Sequence, residues 1–77
     1  DYTMTLDQIP IHKKVMIIAI TGTKKTRIRL LEMGLVPGTE IYIRKIAPWK
    51  NLIEIYVRHY ALLFRTEIAR TILVEEL

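Results

Sequence analysis

Hydrophobic and polar positions alternate most regularly in two runs, Thr39 to Ile46 and Ile53 to Arg58. Ile41 and Ile43 interleave with Glu40, Tyr42 and Arg44, and Ile53, Ile55 and Val57 interleave with Glu54, Tyr56 and Arg58. A period of two marks a strand with one buried face. An antiparallel hairpin that sets Ile41 opposite Val57 and Ile43 opposite Ile55 pairs Glu40 with Arg58, Tyr42 with Tyr56 and Arg44 with Glu54 on its outer face. Every one of those pairs is complementary, and a slip of one residue would carry charge into the core. Ala47 to Leu52 connects the runs with a Pro and an Asn suited to a turn. Trp49, near the tip of that turn, is out of place in a purely solvated loop.

The remaining pattern supplies shorter elements. Val15 to Ile20 is a continuous apolar run with β-branched bias, which predicts a strand buried on both faces. Thr21-Gly22-Thr23 ends it, and Thr23 is placed to cap a helix over Lys24 to Met33. On that helix Lys25, Arg29 and Glu32 share a narrow polar arc. Ile28, Leu30, Leu31 and Met33 spread wider than the apolar stripe of about 100° that one packing surface needs. The helix is therefore either clasped on two sides or turns Met33 or Ile28 toward a partner. Gly34 stops it in the left-handed conformation, and Pro37-Gly38 makes a type II turn into the first strand of the hairpin. Upstream, Thr5 caps a single turn through Ile9, and His12-Lys13-Lys14 is a polar turn. Downstream, Tyr60 to Phe64 is a strand, Arg65 to Arg70 a helical turn capped by Thr66, Thr71 to Val74 a closing strand and Glu75 to Leu77 a tail. The sum is a mainly β fold with one short helix: five strands in a small, partly open barrel, since closure removes exposed edges.

Composition narrows the function more than the fold. At 77 residues the chain is one domain, and 51% hydrophobic content excludes disorder. It opens on Asp1 rather than Met, as expected of a trimmed chain or of a domain from a longer protein. It has no cysteine, so disulfides and thiolate metal sites are excluded. No apolar run approaches the roughly 18–20 residues of a membrane span and no signal peptide is evident, so direct membrane insertion is not expected. The net charge of +4, from 12 basic and 8 acidic residues, is of the size a small domain needs for solubility. His12 and His59 have no second ligand at helical spacing, so no metal site is predicted. Without Cys, Ser or a Gly-rich phosphate loop the chain is not expected to be an enzyme. Tyr42 and Tyr56 beside Arg44 and Arg58 would suit a single nucleic-acid strand, but Glu40 and Glu54 dilute the positive field, so nucleic acid is not expected. Met33, Leu35 and Val36 lie beside fixed backbone. They either complete a core that needs every apolar residue or offer an adaptable partner surface.

The run from Arg29 through Gly34 and Pro37-Gly38 to Ile41 is followed in order by Ala47-Pro48, Tyr60, Arg65, Glu67, Ala69, Ile72, Val74 and Glu75. In these residues the chain resembles the FeoA family, the small ferrous iron transport protein A. It is also similar to the C-terminal module of iron- and manganese-dependent repressors. The resemblance covers residues 1–77 as one FeoA-like domain. It departs from the family at His59, where a Gly is usual, at Trp49-Lys50-Asn51-Leu52, where a Leu-Gly-Asp-Pro-like loop is common, and at Phe64, usually Leu. The resemblance implies an SH3-like barrel and a non-enzymatic, cytoplasmic accessory factor of ferrous iron uptake. Its partner would be the cytoplasmic GTPase region of the FeoB transporter, and any association with Fe2+ would be weak. The expected contact residues are Leu31, Met33, Leu35 and Val36, rimmed by Lys25, Arg29 and Glu32, with Gly34, Pro37 and Gly38 as the structural turn. Two alternatives stand beside this. One is the C-terminal SH3-like domain of a metal-dependent repressor, which a winged helix-turn-helix upstream would mark. The other is a nucleic-acid-binding small barrel, which would show a steep salt dependence of binding.

Overall fold

In a computed structural model, which describes residues 3–77, the alternating runs and apolar stretches become six strands and two helices. The strands are β1 (Thr3–Thr5), β2 (Val15–Ile20), β3 (Glu40–Ala47), β4 (Leu52–Val57), β5 (Tyr60–Arg65) and β6 (Ile72–Glu76). Helix α1 (Lys24–Glu32) lies between β2 and β3, and the single turn α2 (Thr66–Ala69) lies between β5 and β6. Two 3-10 turns, Leu6–Gln8 and Pro48–Lys50, complete the path. All strand pairs are antiparallel in one sheet of order β1-β6-β2-β3-β4-β5. The sheet wraps one core in which Leu6, Val15, Ile17, Leu35, Ile41, Ile43, Ile55, Val57, Ile72 and Val74 are fully buried. Helix α2 packs on β4 and β5 and on the Leu6–Gln8 turn, so it bridges the two ends of the open sheet, and Arg70 reaches Asp7 at 3.6 Å across the same gap.

The fold is the small, partly open barrel expected, with one strand more. Strand β1 pairs Met4 with Val74 on β6, and three residues are too few to show a period. Glu75 and Glu76, read as tail, are paired with β2 in the last strand.

The hairpin register holds for Ile41–Val57, Tyr42–Tyr56 and Ile43–Ile55 and then shifts. Beyond Ile43 an extra residue is accommodated at Arg44, so Lys45, not Arg44, faces Glu54, and Ile46 faces Ile53. The physical reason lies in the sequence: with strict alternation Lys45 would point inward. A bulge turns it outward, sets Ile46 opposite the buried Ile53 while leaving it 37% exposed at the hairpin end, and adds the twist a curled sheet requires. The Glu40–Arg58 pair is also absent from the ladder, because β4 ends at Val57 and Arg58 sits in the two-residue β4–β5 turn at φ +53°.

Helix α1 begins as predicted, with the Thr23 hydroxyl accepting the Thr26 N–H at 3.2 Å. It ends in a Schellman motif. The Leu35 N–H donates to the Leu30 carbonyl at 3.0 Å, the Gly34 N–H donates to the Leu31 carbonyl at 3.0 Å, and Gly34 has φ +94°. The motif brings Leu35 back onto Leu30, and both are buried. In the following turn the Thr39 N–H donates to the Val36 carbonyl at 3.1 Å and the Gly38 N–H to the Ile17 carbonyl at 2.8 Å, which stitches the turn to β2. Two capping expectations fail. Thr5 stands at the start of the Leu6–Gln8 turn, but its hydroxyl donates to the Asp7 carboxylate and caps no backbone N–H. Arg65, not Thr66, precedes the first residue of α2, and the Thr66 N–H is used instead by the Asn51 carbonyl at 3.0 Å.

Candidate functional site

Helix α1 buries only one of its apolar side chains, Leu30, while Ile28, Leu31 and Met33 are 44%, 42% and 37% exposed. It is therefore not clasped on two sides. Thr26, Arg29, Leu30 and Met33, spaced as neighbours along one helix face, look across a groove of about 380 Å³ at Leu63, Phe64, Arg65 and Ile68 from β5 and α2. Phe64 and Ile68 are half-buried against the core and make the floor with Leu30. Met33 and the 63% exposed Leu63 form the walls. Arg29 and Arg65 line the groove, and no carboxylate does.

One end of the groove is tied shut. The Tyr60 hydroxyl donates to the Met33 carbonyl, fastening the start of β5 to the end of α1. A Cβ on Gly34 would overlap that hydroxyl. Gly34 is thus required twice, once for its positive φ and once for the approach of Tyr60.

The residues expected to meet a partner are distributed over four places. Met33 and Arg29 lie in the groove. Leu31, with Ile28, lies about 160° around the helix from Met33 and faces solvent, while Lys25 and Glu32 stay exposed in the arc beside Arg29. Val36 is exposed in the turn after the helix. Leu35 is a correction: with none of its surface accessible, it belongs to the core, because the Schellman motif folds it inward. The groove residues missed by sequence are Leu63, Phe64, Arg65 and Ile68. A signal existed in Leu62-Leu63-Phe64, three consecutive apolar residues in a strand, one of which must face out.

The outer face of β3 and β4 is a second cluster. Tyr42 and Tyr56 pack at 5.6 Å between ring centroids with their planes tilted by 38°, His12 stands edge-on to Tyr42 at 6.2 Å and the Arg44 guanidinium lies 5.4 Å from the Tyr56 centroid. His12 is held there by its left-handed backbone, φ +71°, and by its N–H, which donates to the Ile43 carbonyl at 2.8 Å. The arrangement is the cross-strand aromatic pair expected, extended at both ends.

Among the described residues no three His, Asp or Glu side chains converge as a metal site. His12 is engaged with Tyr42 and His59 sits in the β4–β5 turn. Among the described residues, the side chains present do not fit a resident metal. No helix of the described residues is long and apolar enough to cross a membrane.

The comparisons with known proteins agree with this architecture. A family model described as the FeoA domain matches residues 4–76. No curated protein sequence matches the chain. Among solved structures, a FeoA-like protein from Clostridium acetobutylicum is 39% identical over 100% of this chain and 90% of that one, with a TM-score of 0.88. FeoA from Chlorobium tepidum is 26% identical over 96% of this chain and 70% of its own, also with a TM-score of 0.88. A manganese-dependent transcriptional repressor in complex with manganese reaches a TM-score of 0.92 over 100% of this chain and 38% of that chain, but at 10% identity the likeness is of fold alone. With the domain model spanning nearly every residue, and with the same SH3-like sheet in its relatives, this chain belongs to the FeoA family.

Proposed function

We propose that this chain is a non-enzymatic accessory module of ferrous iron uptake that works in the cytoplasm by docking its α1–β5–α2 groove onto the GTPase region of a FeoB-type transporter. The iron assignment rests on family membership and on relatives such as the iron(II) transport protein A of Clostridium thermocellum, 27% identical over 95% of this chain and 45% of that one. The observation that carries the docking assignment is the groove itself. Its floor is apolar and its walls are the exposed Met33 and Leu63. Burying such surface drives association at roughly 25 cal/mol per Å² before the costs of binding are subtracted. Met33 is unbranched and adapts to an incoming side chain. Arg29 and Arg65, with no acid in the lining, orient an acidic partner surface and raise its on-rate.

The test is a chemical-shift map of the labelled chain titrated with the cytoplasmic GTPase region of the transporter. Met33, Leu63, Phe64 and Ile68 are expected to shift. Leu63→Asp is expected to weaken the complex by tenfold or more with the fold intact, since Leu63 contributes little to the core. A complex that forms while Met33 and Leu63 stay unmoved would show that docking uses another face.

A further inference from the structure

At the end of the β3–β4 hairpin, Trp49 is 80% exposed, the most exposed large apolar side chain among the described residues. It is also the only tryptophan in the chain. Its base is well fastened. Pro48–Lys50 forms a 3-10 turn with Pro at its first position, closed by Asn51 in the left-handed region at φ +57°. The Asn51 N–H donates to the Pro48 carbonyl at 3.1 Å and the Asn51 carbonyl accepts the Thr66 N–H at 3.0 Å. The Asn51 side-chain Nδ2 donates to the Glu67 carboxylate at 2.7 Å. The turn is thus anchored on α2, and the indole projects from a fixed support.

The charge around it has a consistent sign. Lys50 adjoins Trp49, Lys45 and Arg44 lie on the same hairpin, and Arg65 stands opposite Leu52 at the end of β5. The acids at this end are Glu54, facing Lys45, and Glu67, engaged by Asn51. None of the four cations forms an ion pair among the described residues. Pro48 and the 37% exposed Ile46 add apolar surface at the tip. Protein interfaces bury tryptophan too, but their cores are depleted in lysine. An exposed indole on a projecting turn, with a lysine next to it in sequence and lysine and arginine on the adjoining strands, has instead the composition of a lipid interface. There the ring settles at the headgroup level and the cations face phosphates.

We propose that the Trp49 tip is a contact site for an anionic phospholipid surface. Trp49 enters the headgroup layer while Lys45 and Lys50 face lipid phosphates, and no segment crosses the bilayer. Each cation near an anionic surface strengthens binding by about fivefold. One indole and a few cations give weak, reversible adsorption, no stronger than the roughly 10⁴ M⁻¹ of a single myristoyl chain. Its value is as a second attachment, which raises the effective concentration of the chain at any partner fixed in the same membrane. The site stands apart from groove docking, because lipid alone tests it.

Trp49 is its own reporter. The whole chain is titrated with vesicles of phosphatidylcholine containing phosphatidylserine, and with vesicles of phosphatidylcholine alone, at low and raised salt. Anionic vesicles are expected to shift the Trp49 emission to the blue, and lipids brominated near the headgroup are expected to quench it. Pure phosphatidylcholine is expected to leave it unchanged, and raised salt to weaken the effect. In co-sedimentation Lys50→Glu is expected to lower vesicle binding by about 25-fold, one positive charge removed and one negative charge added, and Trp49→Ala by at least tenfold. Unchanged emission with no co-sedimentation at low salt would overturn the assignment. So would a blue shift that appears only when the GTPase region is added without lipid, which would place the tip in a protein interface.

Discussion

Strand β4 and helix α1 carry comparable apolar side chains and use them in opposite ways. In β4, Ile53, Ile55 and Val57 point inward and are buried, and the strand is hydrogen-bonded to β3 on one side and β5 on the other. In α1 only Leu30 reaches the core, while Ile28 and Leu31 face solvent. The helix is held chiefly at its ends: by the Thr23 cap, by the Schellman motif through Leu35 and by Tyr60 at the Met33 carbonyl. A 77-residue chain builds a core with little room to spare, and its strands have filled it. What α1 adds is surface, presented at a fixed position. The groove lies along the element whose apolar residues the fold does not need for itself, and such lightly packed elements open most readily.

The same substitution in both elements tests that contrast most severely. Ile55→Ala removes a fully buried side chain and is expected to cost about 2–5 kcal/mol in urea or thermal unfolding, a large part of the roughly 5–15 kcal/mol available to a small domain. Ile28→Ala removes a side chain that is 44% exposed and is expected to change stability by less than about 0.5 kcal/mol, with the better helix propensity of Ala offsetting lost contact. Equal losses at the two sites would mean that α1 is packed into the fold after all.

The hairpin was legible because both of its faces were complementary in one register, and it became illegible at Arg44-Lys45. Two adjacent charges between Ile43 and Ile46 break the period of two, and the bulge is the backbone's answer to that break. Gly34 and Pro37-Gly38 were legible because their chemistry dictates backbone conformation directly. Leu35 was not, since an apolar residue reads alike in core and surface. The rule that a Schellman motif packs its last residue against the third from the helix end would have placed it with Leu30. The groove was half legible. Met33 and Arg29 stood out on the helix, whereas Leu63, Phe64, Arg65 and Ile68 reach them only through the curl of the sheet, which no local period encodes.

The junction of α1 with β5 offers an intermediate effect. Gly34→Ala forces a left-handed alanine, at about 1–2 kcal/mol, and displaces the Tyr60 hydroxyl from the Met33 carbonyl, at about 1 kcal/mol more. The expected loss is about 2–3 kcal/mol. In a Tyr60→Phe background the displaced hydroxyl is already gone, so the cost of Gly34→Ala should fall to about 1–2 kcal/mol, a coupling of about 1 kcal/mol in the double-mutant cycle. Additive losses would mean that Gly34 serves the helix stop alone and that the tie from β5 does not hold α1.

An effect smaller than that at Gly34, and of the opposite sign, is expected where the connection from α1 enters the sheet. Thr39, at the mouth of β3, is 3% exposed. Its N–H donates to Val36 and its carbonyl accepts from Ile17, but its hydroxyl has no protein partner. A buried hydroxyl without a partner carries a desolvation cost, and replacing it by a methyl of the same shape relieves that cost. Thr39→Val is therefore expected to stabilise the chain by about 1 kcal/mol, which at this size raises the melting temperature by about 4–8 °C. The backbone bonds that stitch the turn to β2 do not involve the side chain and should persist, visible as unchanged amide protection at Ile17 and Gly38. If Thr39→Val destabilises instead, the hydroxyl is satisfied by water from the neighbouring cavity of about 370 Å³ lined by Lys14, Tyr42, Tyr56 and Arg58. The dry core would then end at Ile41, two residues deeper than the burial of Thr39 indicates, and the sheet, like α1, would have a solvated margin next to the turn that joins them.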